Sequence, residues 1–220
     1  VGVAGEQGRV RRPAGPRPVG PLAVDVAYDA FAESVRLIQS EHLEPVFRLS
    51  RRRRFAPMAV DVADDVAVTL FARRGVGCVL SETWVLAKRG ASWHMLGGGS
   101  GSADDDLLAP RPARLPDYLG LPWTAGTGLD PGLIVIDGSG GVHDSQGRAE
   151  RWPWSGRWIR HVGLRTSADV ESVSIDGRTV RVPWHGRVIL ASSRRRSPRV
   201  LVNGKRWAVL GEIRPFERAR

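Results

Sequence analysis

Five histidines, one cysteine and a scatter of serines are the residues through which this chain could do covalent or metal chemistry, and their spacing argues against both. A metal site needs clustered His and carboxylates, yet His42, His94, His143, His161 and His185 lie far apart in sequence. His143 and Asp144 are neighbours whose side chains diverge on a turn or strand, and only His161 and His185 could meet, across strands. Nucleophilic catalysis needs Ser or Cys beside a base and an orienting group. The serines of "GGGSGS" (97–102) and "DGSGG" (137–141) lack nucleophile-elbow spacing and read as linker and turn. Cys78, between Gly77 and Val79, reads as a small buried strand residue. "VIDGSGG" follows a strand but has neither the helix nor the Lys-Ser/Thr of a phosphate cradle. No metal, cofactor or catalytic residue is expected, and a binding or interaction module is expected before an enzyme.

Binding chemistry has more candidates. "RWPWSGRWIRH" (151–161) interleaves rings with guanidinium groups. Pro153 and Gly156 break its first half, so Trp152 and Trp154 are the candidates for an exposed stacking platform. Trp158, on the strand proper, is assigned to packing. Two arginine runs could meet phosphates: Arg51, Arg52, Arg53 and Arg54, and the "SRRRSPR" stretch with Arg194, Arg195, Arg196 and Arg199. The net charge is +10, and residues 132–220 carry +9 of it, from seventeen basic and eight acidic side chains. Only Lys88 and Lys205 of the 33 basic residues are lysine. That skew, with abundant Ala, Gly, Val and Pro, also follows from GC-rich coding. The expected partner is a protein or an acidic ligand, with nucleic acid as the alternative for the basic C-terminal part.

The elements that must hold these residues follow from periodicity. Residues 1–22, with four Pro and five Gly, read as a disordered tail. Val24, Ala27, Phe31, Val35, Ile38 and His42 recur at helical steps, and Pro45 closes the segment. The period then falls to two. "PMAVDVAD" and "VAVTLFARR" are strands around an Asp64-Asp65 turn, "VGCVLSETWVLAKRG" follows, and "ETWVLAKRGASWHML" is a hairpin turning at Lys88–Ala91. Residues 23–98 are thus expected to form a small α+β domain, one helix on an antiparallel meander. Its "WVLAKRGASWHML" hairpin resembles the late hairpin of the NTF2-like (nuclear transport factor 2-like) superfamily, and cystatin-like units share the helix-plus-meander pattern. Tyr28, Phe31, Trp84, Trp93 and His94 would line a pocket if the helix leaves one sheet end open, with Glu82 as its acid or base. The resemblance implies that such pockets exist in relatives, some catalytic and many merely binding.

Residues 99–131 turn Gly/Ser-rich, acidic and Pro-rich and read as a linker, with Leu119, Leu121 and Trp123 able to find a groove. From 132 to 214 about seven short strands alternate with turn signals, including Asp176-Gly177 and Asn203-Gly204, giving an all-β antiparallel sandwich domain. Residues 215–220 are a short tail. No stretch approaches the roughly 18 apolar residues of a membrane span. The Gly/Pro/Arg-rich start lacks a signal-peptide core, so no membrane association and a cytoplasmic location are expected.

Overall fold

A computed structural model describes residues 28–102, 107–116, 129–145, 156–194 and 196–216. They form mostly antiparallel β-sheet with a single short helix. Helix α1 spans Ala30–Ser40. Asp29 caps it, its carboxylate accepting the Phe31 and Ala32 backbone N–H groups, and Glu41 ends it in the left-handed region at φ 49°. The buried face is Ser34, Leu37 and Ile38, with Phe31 and His42 exposed. That face is turned from the expected stripe because Ser34 sits at its centre. Its hydroxyl meets Thr69 Oγ1 at 2.8 Å in the sheet below, a contact that apolar spacing cannot announce.

Four strands follow as a meander: β1 Phe55–Ala63, β2 Val66–Arg74, β3 Val79–Arg89 and β4 Ser92–Ser102, hydrogen-bonded in that order. Helix α1 covers the outer face, where Ile38, Ala67 and Leu86 pack with Val35, Val60, Val62, Trp84 and Trp93. Strand β2 is therefore covered on both faces and is buried from Val66 to Ala72, which is why "VAVTLFA" reads as a nearly continuous apolar run. Cys78 stands exposed in the turn before β3, not within the strand as its neighbours suggested.

The remaining strands are β5 Ile134–Asp144, β6 Arg157–Thr166, β7 Val170–Ile175, β8 Arg178–Arg181, β9 Arg187–Ser192, β10 Val200–Gly204 and β11 Val209–Ile213. They form a three-stranded sheet ordered β5-β6-β9 and a four-stranded sheet ordered β11-β10-β7-β8, antiparallel throughout. Asp176 and Gly177 take positive φ, 51° and 82°, in the turn between β7 and β8. Asn203-Gly204 is not a turn. Asn203 is buried and its amide donates to Ser172 and Ser174 on β7, so the chain reverses two residues later, where Arg206 adopts φ 56°.

The β5-β6-β9 sheet is the middle layer. Ile159, Ile189 and Ala191 on one face join Met58, Val68 and Val85 of the meander in one core. Val162, Leu164, Val188 and Leu190 on the other face join Val173, Val200 and Val202 of the four-stranded sheet in a second. Strand β9, buried at every position, is sealed from both sides. Around the first core the meander and the middle sheet also approach at their edges, β1 beside β9 and β4 beside β5. One carboxylate ties all three sheets. Asp61 on β1 accepts from Arg178 Nε (2.9 Å) and Nη2 (2.8 Å) on β8 and from the Ala191 N–H (2.7 Å) on β9.

Candidate functional site

Two segments expected as linker and turn are strands, and together they empty one end of the first core. Strand β4 runs through "GGGSGS", pairing Gly97 with Val85, Gly99 with Thr83 and Gly101 with Ser81. Residues directly opposite in a ladder share a face, so all three glycines face the interior. Strand β5 runs through "DGSGG", setting Gly140 opposite His161 and Gly138 opposite Gly163 of β6. At Gly99, Gly101 and Gly138 an added Cβ would meet nothing within 4 Å. A cavity of about 800 Å³ occupies that space, walled also by Leu70, Leu107 and Ile189.

The polar groups of the cavity come from the same inner faces. Ser81 and Thr83 continue on β3 from Val85 and Ala87 of the core. His161 continues on β6 from buried Ile159, with its ring laid against Gly140, where even a Cβ would come within 2.7 Å. Its Nδ1 is buried without a hydrogen-bond partner among the described residues. Burial holds the imidazole below its usual pKa, so it is uncharged at neutral pH. Arg187 on β9, 7% exposed in its side chain, is ion-paired with Asp137 on β5 across the cavity wall. Arg165 also lines the space and stands opposite Arg187 in the β6–β9 ladder.

Just below this wall His185 is buried, its Nε2 2.9 Å from the Met58 carbonyl and its Nδ1 accepting the Arg187 N–H at 3.0 Å. One donor and one acceptor are used, so the ring is neutral. Burial, with the Arg187 and Arg111 charges adding, pushes its pKa down to about 4. The two histidines that could have met across strands thus have separate tasks. Among the described residues no group of three His, Cys, Asp or Glu is placed to hold a metal ion.

The sequence-derived pocket lies on the opposite face of the meander, and only part of it assembles. Tyr28, Glu82 and Trp84 come together, with Arg73 paired to Glu82 and its guanidinium 6.0 Å from the Tyr28 ring centroid. Tyr28 also meets Phe55 at a tilt and Phe71 edge-on. The Tyr28 hydroxyl, Glu82 Oε2 and Trp84 Nε1 are buried without hydrogen bonds among the described residues. Burial, reinforced by Glu82, pushes the Tyr28 hydroxyl pKa well up. Trp84 is laid over Gly98, where a Cβ would clash with the ring at 2.3 Å. Trp93 packs under the helix and lies 5.9 Å from Lys88 Nζ. Phe31 and His94 are exposed, and His94 points away from Trp93 because adjacent strand residues alternate.

The basic candidates are dispersed. Arg51, Arg52, Arg53 and Arg54 are exposed, with Arg53 3.8 Å from Glu44. Arg194 pairs with Asp176 and Arg199 with Glu212, while Arg196 is exposed. Trp152, Trp154 and Arg195 lie outside the described residues. Trp158, expected in the core, is 60% exposed, and its ring is 5.4 Å from that of His143. The four-stranded sheet covers Val162 and Leu164 of its face but does not reach Trp158. Comparisons with protein-family models, curated proteins and solved structures returned no match.

Proposed function

We propose that this chain is a non-catalytic binding module whose ligand is a small molecule held in the cavity between the meander and the middle sheet. The observation that carries the reading is the coincidence of inner-face glycines on three strands. Glycine inside a strand is destabilising by roughly 0.5–1 kcal/mol relative to alanine, and interior glycines mark places where something else approaches the backbone. Here Gly99, Gly101, Gly138 and Gly163 all border one space. Its size falls in the range of about 300–1,000 Å³ used for small-molecule sites. The reading is of binding without turnover because Asp137 is engaged by Arg187 and His161 Nδ1 has no hydroxyl partner among the described residues. In this reading the helix and meander are the α+β unit of NTF2-like or cystatin-like kind, with its site on the face away from the helix.

The test is to fill the space. A Gly99→Val/Gly101→Val variant should fold, and a compound that raises the melting temperature of the wild-type chain should leave the variant unshifted. A variant that responds equally to such compounds rules the cavity out as their site.

A second reading, binding of a polyanion, draws on the exposed Trp158 and His143 rings and the Arg196 side chain. It expects single-stranded oligonucleotide binding that weakens steeply with salt and with Trp158→Ala. Binding unchanged by Trp158→Ala would remove it.

A further inference from the structure

We propose that the cavity takes an uncharged, polyhydroxylated ligand of mono- to disaccharide size, recognised by Ser81, Thr83 and His161. This deepens the binding-module reading and rests on it. The charged groups of the wall are already engaged: Arg187 by Asp137, and Arg165 within the chain. An incoming anion or cation would have to displace those contacts. What remains unmade is amphoteric. The Ser81 and Thr83 hydroxyls each donate one hydrogen bond and accept up to two, and neither is bonded among the described residues. A neutral imidazole has one donor and one acceptor nitrogen, and the buried Nδ1 of His161, a ring uncharged by burial, has no hydrogen-bond partner among the described residues. Groups that both donate and accept match hydroxyls, which do the same. Leu70 beside Thr83 on the meander, Ile189 on the middle sheet and Leu107 add apolar surface against which the C–H face of a sugar ring can rest. The glycine strips supply flat backbone where a ring needs room.

Other clusters carry less. Tyr28, Glu82 and Trp84 leave three polar atoms unbonded, but the space around them is filled by rings. Val209 and Leu210 are exposed on edge strand β11, Leu210 lying over Gly204, and nothing in the structure shows what would cover them.

The experiment is calorimetric titration of the full chain with D-glucose, maltose and myo-inositol, beside glucuronate and a panel of non-hydroxylated fragments. The variants are Gly99→Val/Gly101→Val and Thr83→Val, an exchange of a hydroxyl for a methyl at one position. The expected result is a neutral compound that binds the wild-type chain, is lost in the glycine double variant, and binds Thr83→Val about five- to tenfold more weakly, the loss of about one hydrogen bond. Cavity binding of glucuronate or fragments alone overturns the ligand class and leaves the binding-module reading standing. Neutral sugar binding that survives in the glycine double variant overturns the placement. No binding by any compound overturns both.

Discussion

Asp61 shows how much one residue carries in this fold. Its carboxylate spans β1, β8 and β9, and Asp61→Ala leaves the Arg178 guanidinium and the Ala191 N–H without it. Breaking a buried ion pair costs about 3–5 kcal/mol, and partial exposure of Arg178 reduces this to about 2–4 kcal/mol. The loss should appear as a lower urea midpoint with an unchanged m-value. His185 carries a pH dependence. In the unfolded chain a histidine protonates near pH 6.5, whereas the buried ring resists until about pH 4. Between those values the unfolded state binds more protons, so stability falls as pH drops from about 6.5 to about 4 and this contribution is flat below. A shift of that size amounts to about 3 kcal/mol. Urea unfolding at pH 7, 5.5 and 4 measures it, and His185→Gln should flatten most of the slope. His161 contributes a smaller limb of the same sign.

At the scale of elements, α1 matters through what it covers. Ile38→Ala removes the side chain that fits between Ala67 and Leu86 and should cost about 2–4 kcal/mol in chemical denaturation. Helix, meander hairpins and most later strands were legible because apolar period and turn residues agree there: Asp64-Asp65, Gly90-Ala91 and Asp176-Gly177 all turn where the sequence says. The buried helical face departs from the apolar stripe because Ser34 meets the sheet through a hydrogen bond rather than apolar contact. Asn203-Gly204 misled because the Asn side chain was spent on β7. Most consequentially, "GGGSGS" and "DGSGG" have no side-chain period to read. Their strand state is imposed by Leu80–Val85 and by Ile159–Leu164 alongside, which is information held in other segments. The candidate site was therefore invisible where it matters most, although His161 and the Ser81–Thr83 spacing were in plain view. Gly99→Val, which meets open space, should raise stability by about 0.5–1 kcal/mol while abolishing binding. Thermal unfolding with and without ligand separates the two effects.

Across the molecule, the meander and the middle sheet share one core while the middle and third sheets share another. A layer sandwiched in this way gives neither neighbour an independent interior. Calorimetric unfolding is expected to be a single transition whose van't Hoff and calorimetric enthalpies agree. Two resolved transitions would show that residues 28–102 and 134–213 unfold separately.

The glycine strips have a consequence for motion. Strands without inward side chains hold their neighbours by backbone bonds alone and specify register weakly. Two rings act as latches there, Trp84 on Gly98 and His161 on Gly140. Fraying of β4 from β3 and of β5 from β6 is then expected to be the easiest excursion of these two sheets, and amides of Gly99–Ser102 and Gly138–Gly140 should exchange with deuterium faster than other strand amides. Occupancy of the cavity opposes that breathing. A ligand should register first as slowed exchange along these glycine strips, so entry and strand fraying behave as one coupled equilibrium.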